Sequence, residues 1–170
     1  MINLEKITKD FGVKELLFCL KKNSNITEDG MVETRFWNKY LRIDINKGTV
    51  KSSNNFVNWR EIGYVNTQGG GYLYFDIKVS NDKEVTISVH KLIALLKYDF
   101  SIIELTLGEK SAFVVDHINR KKTDNRAKNL RVITRRDNTV LALSKDEIKK
   151  HFIEEKYKIY TIQEIVEQEK

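Results

Sequence analysis

The chain has 170 residues, of which 41% are apolar and 32% charged, and it carries a net charge of +6. That length suffices for one ordinary hydrophobic core, and that balance excludes a disordered chain. No apolar run nears the ~20 residues of a membrane helix, and a lone cysteine, Cys19, excludes an intramolecular disulfide or a cysteine-built zinc cluster.

The opening stretch, Met1 to Lys6, alternates charge with apolar residues and lacks a small-residue cleavage site. It is therefore read as no signal peptide, which places the protein inside a cell. Residues 4–22 are predicted to be helical, because Val13, Leu16, Leu17 and Leu20 follow helical spacing and Asn23-Ser24-Asn25 ends the run. Gly12 divides this stretch into two short patterns, so either a packing helix or part of a helix-turn-helix fits it. Cys19 lies in the apolar run Leu16–Leu20 and is read as a small buried hydrophobe.

Residues 31–90 read as strands and turns. Tyr40–Ile45 alternates, Asn46-Lys47-Gly48 makes a turn, and Thr49-Val50-Lys51 returns the chain as a hairpin. After Gly69-Gly70-Gly71, Tyr72–Val79 is expected to pair with Glu84–Val89 across residues 80–83. Lys91–Tyr98 is expected to be a short buried helix with His90 at its start as a structural residue, and Trp37, Trp59, Tyr64, Tyr72 and Tyr74 are assigned to the core. Further on, Phe113–His117 and Leu130–Thr134 are predicted strands, separated by a polar loop from Asn119 to Lys128. Thr134 followed by Asp137 marks a helix start, and Ser144 with Glu147 reads as a capping box before a helix to about Lys156. Thr161 with Glu164 repeats the pattern, and His151 falls on a charged helix and is expected to be exposed.

The excess charge is local. Residues 114–138 hold 8 basic and 3 acidic side chains, whereas residues 1–113 are nearly balanced and residues 139–170 are slightly acidic. A concentrated positive field favours a polyanionic partner, although a solvated basic face would have the same composition. The same window holds a set of groups suited to phosphodiester hydrolysis. His117, as a neutral imidazole, could take a proton from water at cellular pH. Asp116 and Asn138 offer hard oxygen donors of the kind that hold a divalent ion. Asn129 opens the second strand, and a hairpin with a helix across it would draw all four side chains together.

Val115-Asp116-His117-Ile118-Asn119, Thr123-Asp124-Asn125-Arg126, Asn129-Leu130-Arg131-Val132-Ile133-Thr134 and then Asn138 resemble the HNH nuclease motif, in the branch typical of phage and intron homing endonucleases. Gly71-Tyr72-Leu73 and Val89–Ala94 are similar to segments that precede the motif there, so the likeness spans about residues 36–138. The resemblance implies a metal-dependent DNA endonuclease. His117 would be the general base, Asp116 and Asn138 the metal ligands, and Asn129 the residue that ties the loop. Asn138 stands where many members have histidine, which argues for one Mg²⁺ or Mn²⁺ per site rather than zinc.

Arg120, Lys121, Lys122, Arg126, Lys128, Arg131, Arg135 and Arg136 are the candidate DNA contacts, with Arg131 and Arg135 foremost because each flanks a motif asparagine. The expected partner is double-stranded DNA, with no membrane association, a homodimer as one possible assembly, and the cytoplasm of a bacterial or phage-infected cell as the setting. A restriction-type enzyme, a non-catalytic DNA-binding protein on the same fold and an RNA-directed nuclease stay open beside the homing type.

The expected fold is α+β: a helical segment at 1–30, a β-rich DNA-docking region at 31–110, a ββα-metal unit at 111–143 and a helical tail at 144–170. The tail is similar to the first two helices of a helix-turn-helix, and packing or dimerisation would fit it equally well.

Overall fold

The computed structural model describes residues 25–36, 39–68, 70–78, 81, 84–98 and 111–159. The predicted helix at 4–22, Cys19, Trp37 and the cap at Thr161 and Glu164 lie outside them.

The fold is α+β. A five-stranded antiparallel sheet runs in the order β1 (Asn25–Ile26), β2 (Met31–Phe36), β3 (Lys39–Asp44), β4 (Thr49–Ser53) and β5 (Arg60–Glu61). A three-stranded sheet follows, made of β6 (Tyr64–Asn66), β7 (Tyr72–Lys78) and β8 (Glu84–Ser88). Then come helix α1 (Val89–Lys97), strands β9 (Phe113–His117) and β10 (Leu130–Thr134), and helices α2 (Arg135–Leu143) and α3 (Glu147–Ile159).

Both predicted hairpins form. β3 and β4 pair with Asp44 opposite Thr49, and β7 and β8 pair with Lys78 opposite Glu84. The cause is the two-residue period: Leu41 and Ile43 on β3 and Phe75 and Ile77 on β7 are buried, while Tyr40, Arg42 and Tyr74 are half-covered and Asp76 is exposed. The helix foreseen from Lys91 begins two residues earlier, at Val89. Leu92, Ile93, Leu95 and Leu96 bury its inner face, and the backbone N–H of Tyr98 closes its end on the Ala94 carbonyl.

One apolar cluster spans the elements. It joins Val32, Leu41, Ile43 and Val50 of the first sheet, Phe75, Ile77 and Ile87 of the second, the α1 leucines, and Phe113, Val115, Leu130 and Val132 of the last hairpin. Ile133, Leu141 and Ile153 form a smaller cluster that seats α2 and α3.

Three expectations need correction. The aromatic residues assigned to the core are not fully buried: Trp59, Tyr72 and Tyr74 are half-buried and Tyr64 is exposed. Arg42 stacks on the Trp59 ring at 4.1 Å, and the Tyr64 hydroxyl donates to exposed Asp76 at 3.0 Å. The cap of α3 is Asp146 rather than Ser144. The Asp146 carboxylate accepts from the Lys149 N–H at 3.0 Å, while the Ser144 hydroxyl accepts only from Asp146, before the helix begins. That helix also continues beyond Lys156, to Ile159. Among the described residues no helix is long and apolar enough to cross a membrane.

Candidate active site

The site is built on the end of an antiparallel hairpin. β9 and β10 pair over their whole length, with Asp116 opposite Arg131 and His117 opposite Leu130. Beyond this pair the Ile118 N–H still bonds the Asn129 carbonyl at 2.9 Å, so the strands part only after the motif histidine. The turn that follows bends sharply. Arg120 has φ of +64°, and its N–H returns to the His117 carbonyl at 2.9 Å. A non-glycine residue in the left-handed region is strained, and such strain persists only where the surroundings enforce it.

Here amide side chains enforce it. Asn129, buried, accepts from the Asn119 N–H at 3.0 Å and donates to the Asn119 side-chain oxygen at 2.9 Å and to the Asp124 carbonyl at 2.7 Å. Asn119 in turn donates to the Asp124 carboxylate at 2.7 Å. Arg126 donates to the same carboxylate at 2.7 Å and, with Asn119, holds it well below the usual carboxylate range. The loop thus closes on itself through Asn119, Asp124, Arg126 and Asn129, which leaves its centre free to hold one ring.

That ring is His117, only 4% exposed. Its Nε2 lies 3.0 Å from the side-chain oxygen of Asn125, itself 1% exposed. The Asn125 amide nitrogen donates to the Thr123 carbonyl at 3.3 Å, so its oxygen is the atom that faces the ring. An oxygen there requires the proton on Nε2, which leaves the Nδ1 lone pair as the basic one. In the sequence Asn125 reads only as part of the tetrapeptide 123–126.

Its position depends on the first sheet. The turn between β3 and β4 presses on it so closely that a Cβ on Gly48, at φ +70°, would lie 2.3 Å from the Asn125 carbonyl carbon. The Ala127 N–H also bonds the Ile45 carbonyl at 2.9 Å. From the other side, the Lys97 ammonium donates to the Ala127 and Leu130 carbonyls at 2.9 and 3.0 Å, and the Tyr98 hydroxyl donates to the Leu130 carbonyl at 2.9 Å. Burial pushes the Tyr98 hydroxyl up to about 12.

Asp116 points the other way along the strand and is paired. Its carboxylate accepts from Arg131 Nε at 2.9 Å and from Arg120 Nη1 at 3.3 Å. Tyr72 borders both motif residues. Its ring centroid is 5.9 Å from that of His117, and burial, followed by the Asp116 charge, raises its hydroxyl pKa above the ordinary value. Asn138 stands in the first turns of α2, half-buried, and its side chain makes no hydrogen bond to a described residue. The Thr134 hydroxyl caps that helix by accepting from the Asp137 N–H at 3.1 Å, so the cap read from the sequence holds Asn138 in place.

His90, read from the sequence as a structural residue, is buried, and its ring lies 5.4 Å from that of His117. Burial, with His117 and Lys91 nearby, lowers its pKa to about 3. His151 is exposed, as expected. The described residues hold no group of three or more His, Cys, Asp or Glu side chains arranged for a metal.

The basic residues divide. Lys121, Lys128 and Arg136 are exposed and make no ion pair with a described residue. Arg135 is exposed, with Nε on the Ser111 carbonyl at 3.0 Å, and Lys122 bonds the Gly70 carbonyl at 2.7 Å. Arg126 is committed to Asp124, and Arg120 and Arg131 turn inward to Asp116.

Residues 102–140 match the family model described as HNH endonuclease. This segment is similar to an HNH endonuclease unit. β9, β10 and α2 supply its ββα framework, and the loop just described lies between its two strands. A search of curated proteins finds no match to the chain. A solved structure titled "DNA binding and cleavage by the HNH homing endonuclease I-HmuI" is similar, at 25% identity over 61% of this chain and 52% of that one, with a TM-score of 0.43. This chain spans about half the length of that protein.

Proposed function

We propose that the chain is a metal-dependent DNA endonuclease of the homing type, with His117 as general base, Asp116 and Asn138 as metal ligands and Asn129 as the residue that holds the loop. The observation that carries the reading is a buried histidine whose Nε2 lies 3.0 Å from the Asn125 side-chain oxygen. That oxygen accepts a hydrogen bond from Nε2–H, which leaves the Nδ1 lone pair to take a proton from the attacking water. The homing assignment rests on the resemblance over residues 36–138.

The donor set suits a hard divalent ion, because one carboxylate and one amide offer oxygen and no sulfur or imidazole. Arg131 occupies one lone pair of Asp116 Oδ2, and Arg120 approaches Oδ1 only at 3.3 Å, so the carboxylate retains free lone pairs. Mg²⁺ or Mn²⁺ held there, one per site, would polarise the phosphate and stabilise the leaving oxygen. The residues themselves do the rest. Asn125 orients the base, Asn129 keeps the loop closed around it, and Arg131 and Arg120 hold the carboxylate in position. Lys121, Lys122, Lys128, Arg135 and Arg136 offer phosphate contacts to double-stranded DNA, which position the substrate without reading its sequence. The first sheet, with Arg42 stacked on Trp59, would supply the docking surface.

The deciding experiment is cleavage of supercoiled plasmid with Mg²⁺, Mn²⁺ or EDTA by the native chain and by His117→Ala. Metal-dependent nicking or linearisation that the variant lacks supports the reading, and the product form shows how many strands are cut. Metal-independent binding with no cleavage by either protein would replace it with a DNA-binding role.

A further inference from the structure

We infer that His90 is a positioning residue for His117, whose flat buried ring, together with Tyr72, sets the plane of the base. The inference rests on the reading of His117 as general base. One hydrogen bond at Nε2 fixes an edge of the ring but not its plane, because the terminal torsion of histidine has a broad profile. The plane must come from packing. Three rings from three elements meet here: Tyr72 of β7, His90 of α1 and His117 of β9. Tyr72 and His90 are 4.8 Å apart between centroids, and His90 and His117 are 5.4 Å apart at 58°.

Both walls are anchored. His90 sits in the first turn of α1 beside the buried Val89, Leu92 and Ile93. Tyr72 is covered by the Lys122 ammonium, 4.9 Å from its centroid, and Lys122 is tethered to Gly70. His90 Nδ1 is buried and has no hydrogen-bond partner among the described residues, so that nitrogen ties His90 to no neighbour and the contact with His117 is one of ring packing.

The test compares His90→Phe with His90→Leu in the full chain. Phenylalanine keeps a flat ring, whereas leucine keeps apolar volume without one. Two quantities are read: the His117 ring signal in a histidine-labelled NMR spectrum of the metal-free protein, and single-turnover cleavage with Mg²⁺. His90→Phe should keep a sharp His117 signal and a cleavage rate within about threefold of native. His90→Leu should broaden or average that signal and lower the rate about 30-fold with KM for DNA unchanged, the scale expected when a reacting group is misplaced. A native rate and native signal in His90→Leu would overturn the inference. So would a His90→Phe variant as slow as His90→Leu, which would assign the role to the nitrogen, or a change in KM alone. If the native chain does not cleave, the nuclease reading fails, and the NMR comparison still decides whether His90 holds the ring.

Discussion

Two of the loops that join antiparallel strands among the described residues are built in opposite senses. The loop 118–129 buries two amides, Asn125 and Asn129, and ties Asn119, Asp124, Arg126 and Asn129 together through their side chains. The loop 54–59 is shaped by Asn55, whose oxygen accepts from the Val57 and Asn58 N–H groups at 3.1 and 3.0 Å. It turns apolar groups outward, with Phe56 46% and Val57 73% exposed. Both contain a non-glycine residue at positive φ, Arg120 in one and Phe56 in the other. Strain alone therefore does not mark the reacting centre. What separates the two is where the polar atoms go: buried amides in the first hold a ring still, while Asn55 in the second only shapes a surface turn.

Substitutions can break or sharpen that contrast. The largest effect is expected for His117→Ala, with metal-dependent cleavage falling by about 10³-fold or more while DNA retention in a gel-shift assay persists. Gly48→Ala should come next, since its Cβ would meet the Asn125 backbone and the left-handed φ would be strained. A loss of about 3 kcal/mol in urea denaturation is expected, together with lost cleavage. Asn129→Ala removes three hydrogen bonds from the inner loop and leaves their partners bare. It should destabilise by about 2–3 kcal/mol by the same measurement. Asn55→Ala, in the outer loop, should cost about 1 kcal/mol and leave the cleavage rate native. Equal losses at Asn129 and Asn55 would erase the distinction between the loops.

The smallest effect concerns pH. Because Arg126 and Asn119 lower the Asp124 pKa on folding, this carboxylate contributes stability that is fully present above its unfolded value, near ~4, and lost as pH falls through the lower folded value. Asp124→Asn should flatten the acid limb of a stability-versus-pH curve below about pH 4 and change little at neutrality.

Elements with a local signal were legible in the sequence. Alternation gave β3 and β7, and a hydroxyl three residues before Asp137 gave the start of α2. Asp116 and His117 were legible as neighbours at a strand end. What stayed hidden depends on contacts distant along the chain, or on a choice between near-identical signals. Asn125 reads as one more turn-forming residue until Gly48 and His117 close on it from two sides. His90 reads as the start of an apolar helix, because its neighbours Tyr72 and His117 come from other strands. Ser144 and Asp146 can each cap a helix, and only the backbone decided for the second. Tyr72 fits a strand pattern whether its ring faces a core or a site.

The contact of Gly48 with Asn125 has a bearing on how this segment could be reused. Taken alone, the 102–140 match outlines a cassette to be lifted into another scaffold. Yet the Ala127 N–H is satisfied by Ile45, the Leu130 carbonyl by Lys97 and Tyr98, and the Asn125 backbone rests on a glycine from a different sheet. A graft carrying the cassette alone would leave those groups to water and the loop without its floor. The portable unit is the hairpin together with the β3–β4 turn and the end of α1, three pieces remote in the chain that a transplant must carry as one.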